Sequence, residues 1–150
     1  MKKVILLLVV AISSSAVAQT MEKEMEKKAR EFHRIIGLSD KEQWKKFIQE
    51  NYTKSLIERP MKQKVSRQDD ENTSSETTET KGTLDDKVRM LERLHDDFGG
   101  SKIASIKTSG ENLEMILEGG NLSGTFKLKF ETAKPYLISG LGINVEGGGR

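Results

Sequence analysis

The stretch "LERLHDDFGGSKIASIK", Leu91 to Lys107, contains the point at which the chain changes its period. Up to that point Leu84, Val88, Leu91, Leu94 and Phe98 recur at spacings of three and four. At about 100° per residue they fall within about 120° of one another, the buried stripe of an amphipathic helix. Thr83, with Asp86 three residues on, has the form of a capping box that opens this helix. Beyond Ser101 the apolar residues alternate with polar ones, the pattern of a strand with one covered face. Between the two, Gly99 is expected to take the left-handed conformation that ends helices, and Gly100 loosens the exit. Helices before this point and strands after it make the chain an α+β protein.

The same stretch places His95, one of two histidines, beside Asp96 and Asp97. His95 falls inside the apolar arc, whereas Asp96 and Asp97 are each rotated about another 100° around the helix. Ligands on a helix converge from positions three or four apart, so these three side chains diverge and no metal site is expected. "HDDFGG" therefore reads as a helix ending. His95 by itself remains a candidate acid or base, with His33 a weaker one, against the alternative of a half-buried structural histidine.

Toward the C-terminus, Ile103 to Lys107 forms one short strand. Leu113, Met115 and Leu117 line a second, Phe126, Leu128 and Phe130 a third, and Leu137, Leu141, Ile143 and Val145 a fourth. Ser109-Gly110, Gly119-Gly120-Asn121 and Lys134-Pro135 mark the turns, so the strands follow one another as an antiparallel meander. Its apolar face must be covered, and the helices are what is available. On the other face Glu114 or Glu118 is expected opposite Lys127 or Lys129. An anion-binding groove fits this face less well, because both signs of charge occur there.

Toward the N-terminus, Met25, Ala29, Phe32 and Ile36 form the stripe of a helix over Met21 to Ile36, stopped at Gly37. Ser39 with Glu42 predicts the cap of a second helix, whose apolar face is Trp44, Phe47, Ile48 and Tyr52, with Leu56 beyond. Trp44, the only tryptophan, opens this stripe and reads first as a core anchor. Pro60 ends the helical run. From Ser66 to Gly82 the chain reads SRQDDENTSSETTETKG, without one aliphatic or aromatic side chain, and is expected to be a mobile loop inserted in the domain. Asp69, Asp70, Glu71 and Asn72 lack the alternating ligands and turn glycine of a calcium loop.

The first residues, MKKVILLLVVAISSSAVAQT, carry two lysines, an apolar run from Val4 to Ile12 and small residues up to Ala18. This is the layout of a secretory signal peptide cleaved after Ala18, with an apolar run too short to remain as a membrane anchor. The expected organisation is a signal at 1–18, an N-terminal helix at 19–38, one α+β domain at 39–146 with its polar insertion at 66–82, and a flexible tail at 147–150. The chain is then exported, periplasmic or extracellular. Its 25 basic residues lose Lys2 and Lys3 and so equal the 23 acidic ones. Without a net positive field, nucleic acid is not an expected partner. The absence of cysteine excludes disulfides and a thiol nucleophile.

The runs "KEQWKKFIQENYTKSLIE", "LERLHDDFGGSKIASI" and "LKFETAKPYLISGLGINV" resemble a module found beside the catalytic domain of exported bacterial serine hydrolases, of both the β-lactamase type and the tail-specific-protease type. That module is similar to the nuclear transport factor 2-like and cystatin-like folds. The resemblance covers about Ser39 to Val145 without the polar insertion. It implies two to three N-terminal helices packed on a curved four-stranded antiparallel meander, with a groove between helices and sheet. In that groove Trp44, Tyr52, His95 and Phe98 would line a ligand pocket. No hydrolase domain is present in the chain, which has no Gly-x-Ser-x-Gly elbow and no Ser-x-x-Lys. The favoured reading is a non-catalytic binding or accessory module, taking a protein partner such as a hydrolase or a small apolar ligand, and needing no cofactor. A small isomerase or dehydratase using His95, with His33 or Tyr52, stays open, as does an inhibitor or subunit of a separately encoded hydrolase. A curved sheet with a half-covered face would also suit a homodimer.

Overall fold

The computed structural model describes residues 3–60 and 81–147. Among these residues four helices, α1 (Lys3–Ile36), α2 (Lys41–Asn51), α3 (Lys54–Glu58) and α4 (Leu84–Phe98), precede four strands, β1 (Lys102–Ser109), β2 (Asn112–Gly119), β3 (Leu122–Phe130) and β4 (Ile138–Gly147). The strands pair in sequence order, all antiparallel, as a curved, open meander with the helices on one face. The polar insertion lies outside the described residues from 66 to 80, including the four residues weighed as calcium ligands. Its last residue, Gly82, is buried and donates its N–H to the Glu58 carbonyl at 3.0 Å. The tail from 148 onward also lies outside them.

Helix α1 is exposed from Ala16 to Thr20, and its packing begins at Met21. From there Met25, Ala29, Phe32 and Ile36 are completely buried, as their spacing predicts. The cap of α2 is Asp40, not Ser39: its carboxylate accepts the N–H groups of Glu42 and Gln43 at 3.0 and 3.1 Å. A carboxylate at the N-terminal end also complements the helix dipole, which a serine hydroxyl one residue earlier cannot match. Tyr52 and Thr53 leave the helical conformation and divide the apolar run into α2 and α3. Tyr52 bridges to Ile138, and the Thr53 N–H donates to the Ile138 carbonyl at 2.9 Å. Thr83 and Asp86 form the expected capping box on α4.

Gly99 caps α4 with φ −59° and ψ −27°, right-handed and not left-handed as expected. The residue is glycine for a different reason. A Cβ there would stand 2.5 Å from the His95 carbonyl oxygen and 2.8 Å from its Nδ1.

In the sheet, Leu113, Met115 and Leu117 face Leu128, Phe126 and Gly124 on the covered side. Phe98 of α4 lies on Gly124, where a Cβ would come within 2.6 Å of its ring, and meets Phe126 edge-on at 5.2 Å. Phe32 of α1 contacts Phe126 and Phe47, which joins three helices to the sheet through four aromatic rings. Burial of each such ring contributes about 2–3 kcal/mol. The β1–β2 and β2–β3 loops have positive φ at their first residue alone, Gly110 and Gly120, as type II′ hairpins require. An extra residue, Ser139, bulges β4 between Ile138 and Gly140. Ile138, not Leu137, therefore faces the core opposite Phe130, because a one-residue bulge reverses the alternation.

Candidate functional site

A helix ends with unpaired carbonyls, and α1 ends inside the molecule, where water cannot satisfy them. The sequence supplies donors from distant positions. Trp44 Nε1–H donates to the Ile35 carbonyl at 2.9 Å, and His95 Nδ1 to that of Ile36 at 2.8 Å. The Leu38 N–H also reaches Ile35, and the Gly37 N–H reaches His33. The Trp44 and His95 rings lie side by side with centroids 5.8 Å apart. His33, on the neighbouring turn of α1, holds the Ser101 carbonyl at 3.0 Å through Nε2.

A carbonyl only accepts, so the proton sits on Nδ1 of His95 and on Nε2 of His33. Both rings are half-buried, and each ties one element to the next: α4 to the end of α1, and α1 to the start of β1. Asp96 and Asp97 are exposed and lie on other sides of α4, so neither orients His95. Among the described residues no three His, Asp or Glu side chains converge as metal ligands.

Trp44, Tyr52 and Phe98 are buried with the core. Of the four residues expected to line a pocket, three are thus core and His95 packs against it, while the depressions along the open face of the sheet and beside the β1–β2 turn are lined by other residues. The Tyr52 hydroxyl is buried with no hydrogen-bond partner among the described residues, and burial pushes its pKa well above the ordinary tyrosine value. Lys87 is a further buried group: its ammonium donates to the Arg59 carbonyl at 3.0 Å, and its pKa is lowered by burial and by the Arg59 charge. Sequence reasoning missed it. Its place three residues after Leu84 and four before Leu91, on the apolar arc of α4, was the available signal.

The open face of the sheet carries the exposed charge. Lys107, Glu114 and Lys127 stand in one row across β1, β2 and β3, and Lys129 pairs with Glu111 at 2.9 Å in the row beside it. The expected pairing of Glu114 with Lys127 is present at 4.0 Å, but Glu118 lies opposite Ser123. Lys107, Glu114, Lys127 and Lys129, with Ser109 and Asn112, border a shallow depression. Its donors and acceptors are suited to recognising a polar, mixed-charge surface, and it contains no nucleophile with a paired base.

Among the described residues no helix is long and apolar enough to cross a membrane. Comparison with protein-family models, with curated proteins and with solved structures gives no match.

Proposed function

We propose that the chain is an exported, non-catalytic binding or accessory module that meets a partner protein through the open face of its sheet. The observation that carries this reading is the commitment of its reactive side chains. His33, His95 and Trp44 spend their N–H groups on backbone carbonyls, and Phe32, Phe47, Phe98 and Phe126 pack together between helices and sheet. A general acid or base must reach the proton it transfers, and a histidine fixed against a helix end is poorly placed for that. The mixed row of Lys107, Glu114 and Lys127 supplies the complementarity that gives a protein contact its specificity.

Export follows from the signal layout of residues 1–18. The exposure of Ala16 to Thr20 supports it, because the domain begins to pack only at Met21. The resemblance to the hydrolase-associated module makes a hydrolase the first partner to test.

The test is native mass spectrometry of the protein purified gently from its extracytoplasmic compartment, followed by the same measurement on Lys107→Glu/Lys127→Glu. A stoichiometric protein partner that the double variant loses is the expected result. A bound small molecule, or turnover that disappears with His95→Ala while the fold persists, would overturn the reading in favour of a pocket enzyme.

A further inference from the structure

The two edges of the sheet differ in how they are protected against pairing. An edge strand presents unpaired N–H and C=O groups, and proteins blunt it with lysines, bulges or covering segments. β1 has such devices along its length: Lys102, Lys107 and an extra residue at Ala104 that breaks the register. On β4 the protection stops early. Thr53 and Arg59 bind the carbonyls of Ile138 and Ser139, at 2.9 and 3.3 Å, and the bulge sits at Ser139. From Gly140 to Gly147 no other described segment pairs with the free edge. This stretch contains no lysine, arginine or proline.

Its side chains are unusual for an unpaired edge. On the core side Leu141 and Ile143 are only half-buried and Val145 is 47% exposed, so the apolar face runs out past the helices. On the other side Gly140 and Gly142 leave the stems of Lys129 and Lys127 bare, with their Cβ atoms 3.1 and 3.9 Å from where a glycine Cβ would stand. The one charge on the strand is Glu146.

We propose that this edge pairs with the same edge of a second copy, β4 against β4, antiparallel about a two-fold axis at Ile143. Residues directly opposite in such a pair share a face. Leu141 then meets Val145 of the other copy and Ile143 meets its counterpart, continuing the apolar row across the axis. Glu146 faces Gly140, and its carboxylate extends over that glycine toward Lys129, once on each side of the axis. The strand is thus self-complementary in charge and in apolar pattern, which a two-fold interface demands. The product is one eight-stranded sheet with all the helices on one face. The pairing uses an edge separate from the Lys107–Lys127 row, so it stands or falls independently of the proposed partner.

The two-fold makes residue 143 its own neighbour, and the chain has no cysteine, which gives a direct test. Paired strands bring opposite Cα atoms to about 4.5–5.5 Å, inside the range a disulfide spans. Under mild oxidation of the purified full-length protein, Ile143→Cys is expected to give a covalent dimer, and Ala104→Cys on the other edge is expected to give none. Val145→Lys, at a half-exposed position, is expected to keep the far-ultraviolet circular dichroism and to abolish both the cross-link at 143 and the sedimenting dimer. A monomer over the whole concentration range, a dimer that does not cross-link at 143, or equal cross-linking at 104 would each overturn the proposal.

Discussion

His95 joins what the sequence separates into catalytic and structural possibilities, because its Nδ1 proton is held by the last carbonyl of α1 while its ring packs on Trp44. Removing it orphans a carbonyl at a buried helix end, which costs about 1–3 kcal/mol besides the lost contact. His95→Ala is therefore expected to lower the urea midpoint with an unchanged slope. A working histidine that was structurally idle would instead lose activity with its midpoint intact. Tyr52 is the opposite case. Its hydroxyl carries the desolvation cost of burial without a partner among the described residues, so Tyr52→Phe removes a liability and keeps the ring against Phe47. The expected result is a stability equal to the parent or higher by up to about 1 kcal/mol, read from the same denaturation curves.

Among the elements, those read best from sequence were the ones whose period and cap agree. Helix α4 has both a five-residue apolar stripe and a Thr83–Asp86 box, and the structure has it from Leu84 to Phe98. β2 and β3 are central strands with one buried face, and their alternation survives intact. Misreadings arose where a tertiary contact outweighs the local rule. The break at Tyr52 comes from a bridge to Ile138, 86 residues on, and the bulge at Ser139 shifts the inward face of β4 by one residue. The candidate site was legible as residue types and not as roles, since nothing local says that His33 and His95 will be spent on carbonyls 68 and 59 residues away. Gly124 was invisible for a similar reason. It interrupts an apolar alternation so that the Phe98 ring can reach down to the sheet, and it joins α4 to β3. Adding a methyl there forces the ring off Phe126 or lifts the helix, and overpacking of this kind costs about 1–3 kcal/mol. Gly124→Ala is expected to lower the melting temperature, and Gly124→Ala/Phe98→Leu to recover part of the loss.

At the scale of the whole molecule, three acidic groups stand where elements join. Asp40 caps α2, Asp86 closes the box on α4, and Glu58 holds Lys81 at 3.0 Å where the chain returns from the polar insertion. All three carboxyls lie below their ordinary pKa: Asp40 through the backbone and side-chain N–H groups of Gln43, Asp86 through the hydroxyl and N–H of Thr83, and Glu58 through Lys81. The unfolded chain lacks these partners and binds protons first as the pH falls. It therefore holds more protons than the folded chain across the window from the ordinary carboxylate pKa down to the lowered one, and stability rises with pH there. The contribution is complete above the ordinary value and lost below the lowered one. Lys87 adds a second window at the other end of the scale. Its folded pKa lies below the ordinary lysine value, so between the two the unfolded chain again binds more protons and stability again rises with pH. Melting temperature against pH should fall on the acid side below about pH 4–5, and on the alkaline side climb through the window of Lys87 until about pH 10, where the raised pKa of buried Tyr52 reverses the sign and turns the curve down. Asp40→Asn should flatten the acid limb and leave the alkaline rise in place, and Lys87→Met should reduce the alkaline rise. An acid limb unchanged in the first variant would mean that the Asp40 cap does not set the acid stability of the fold.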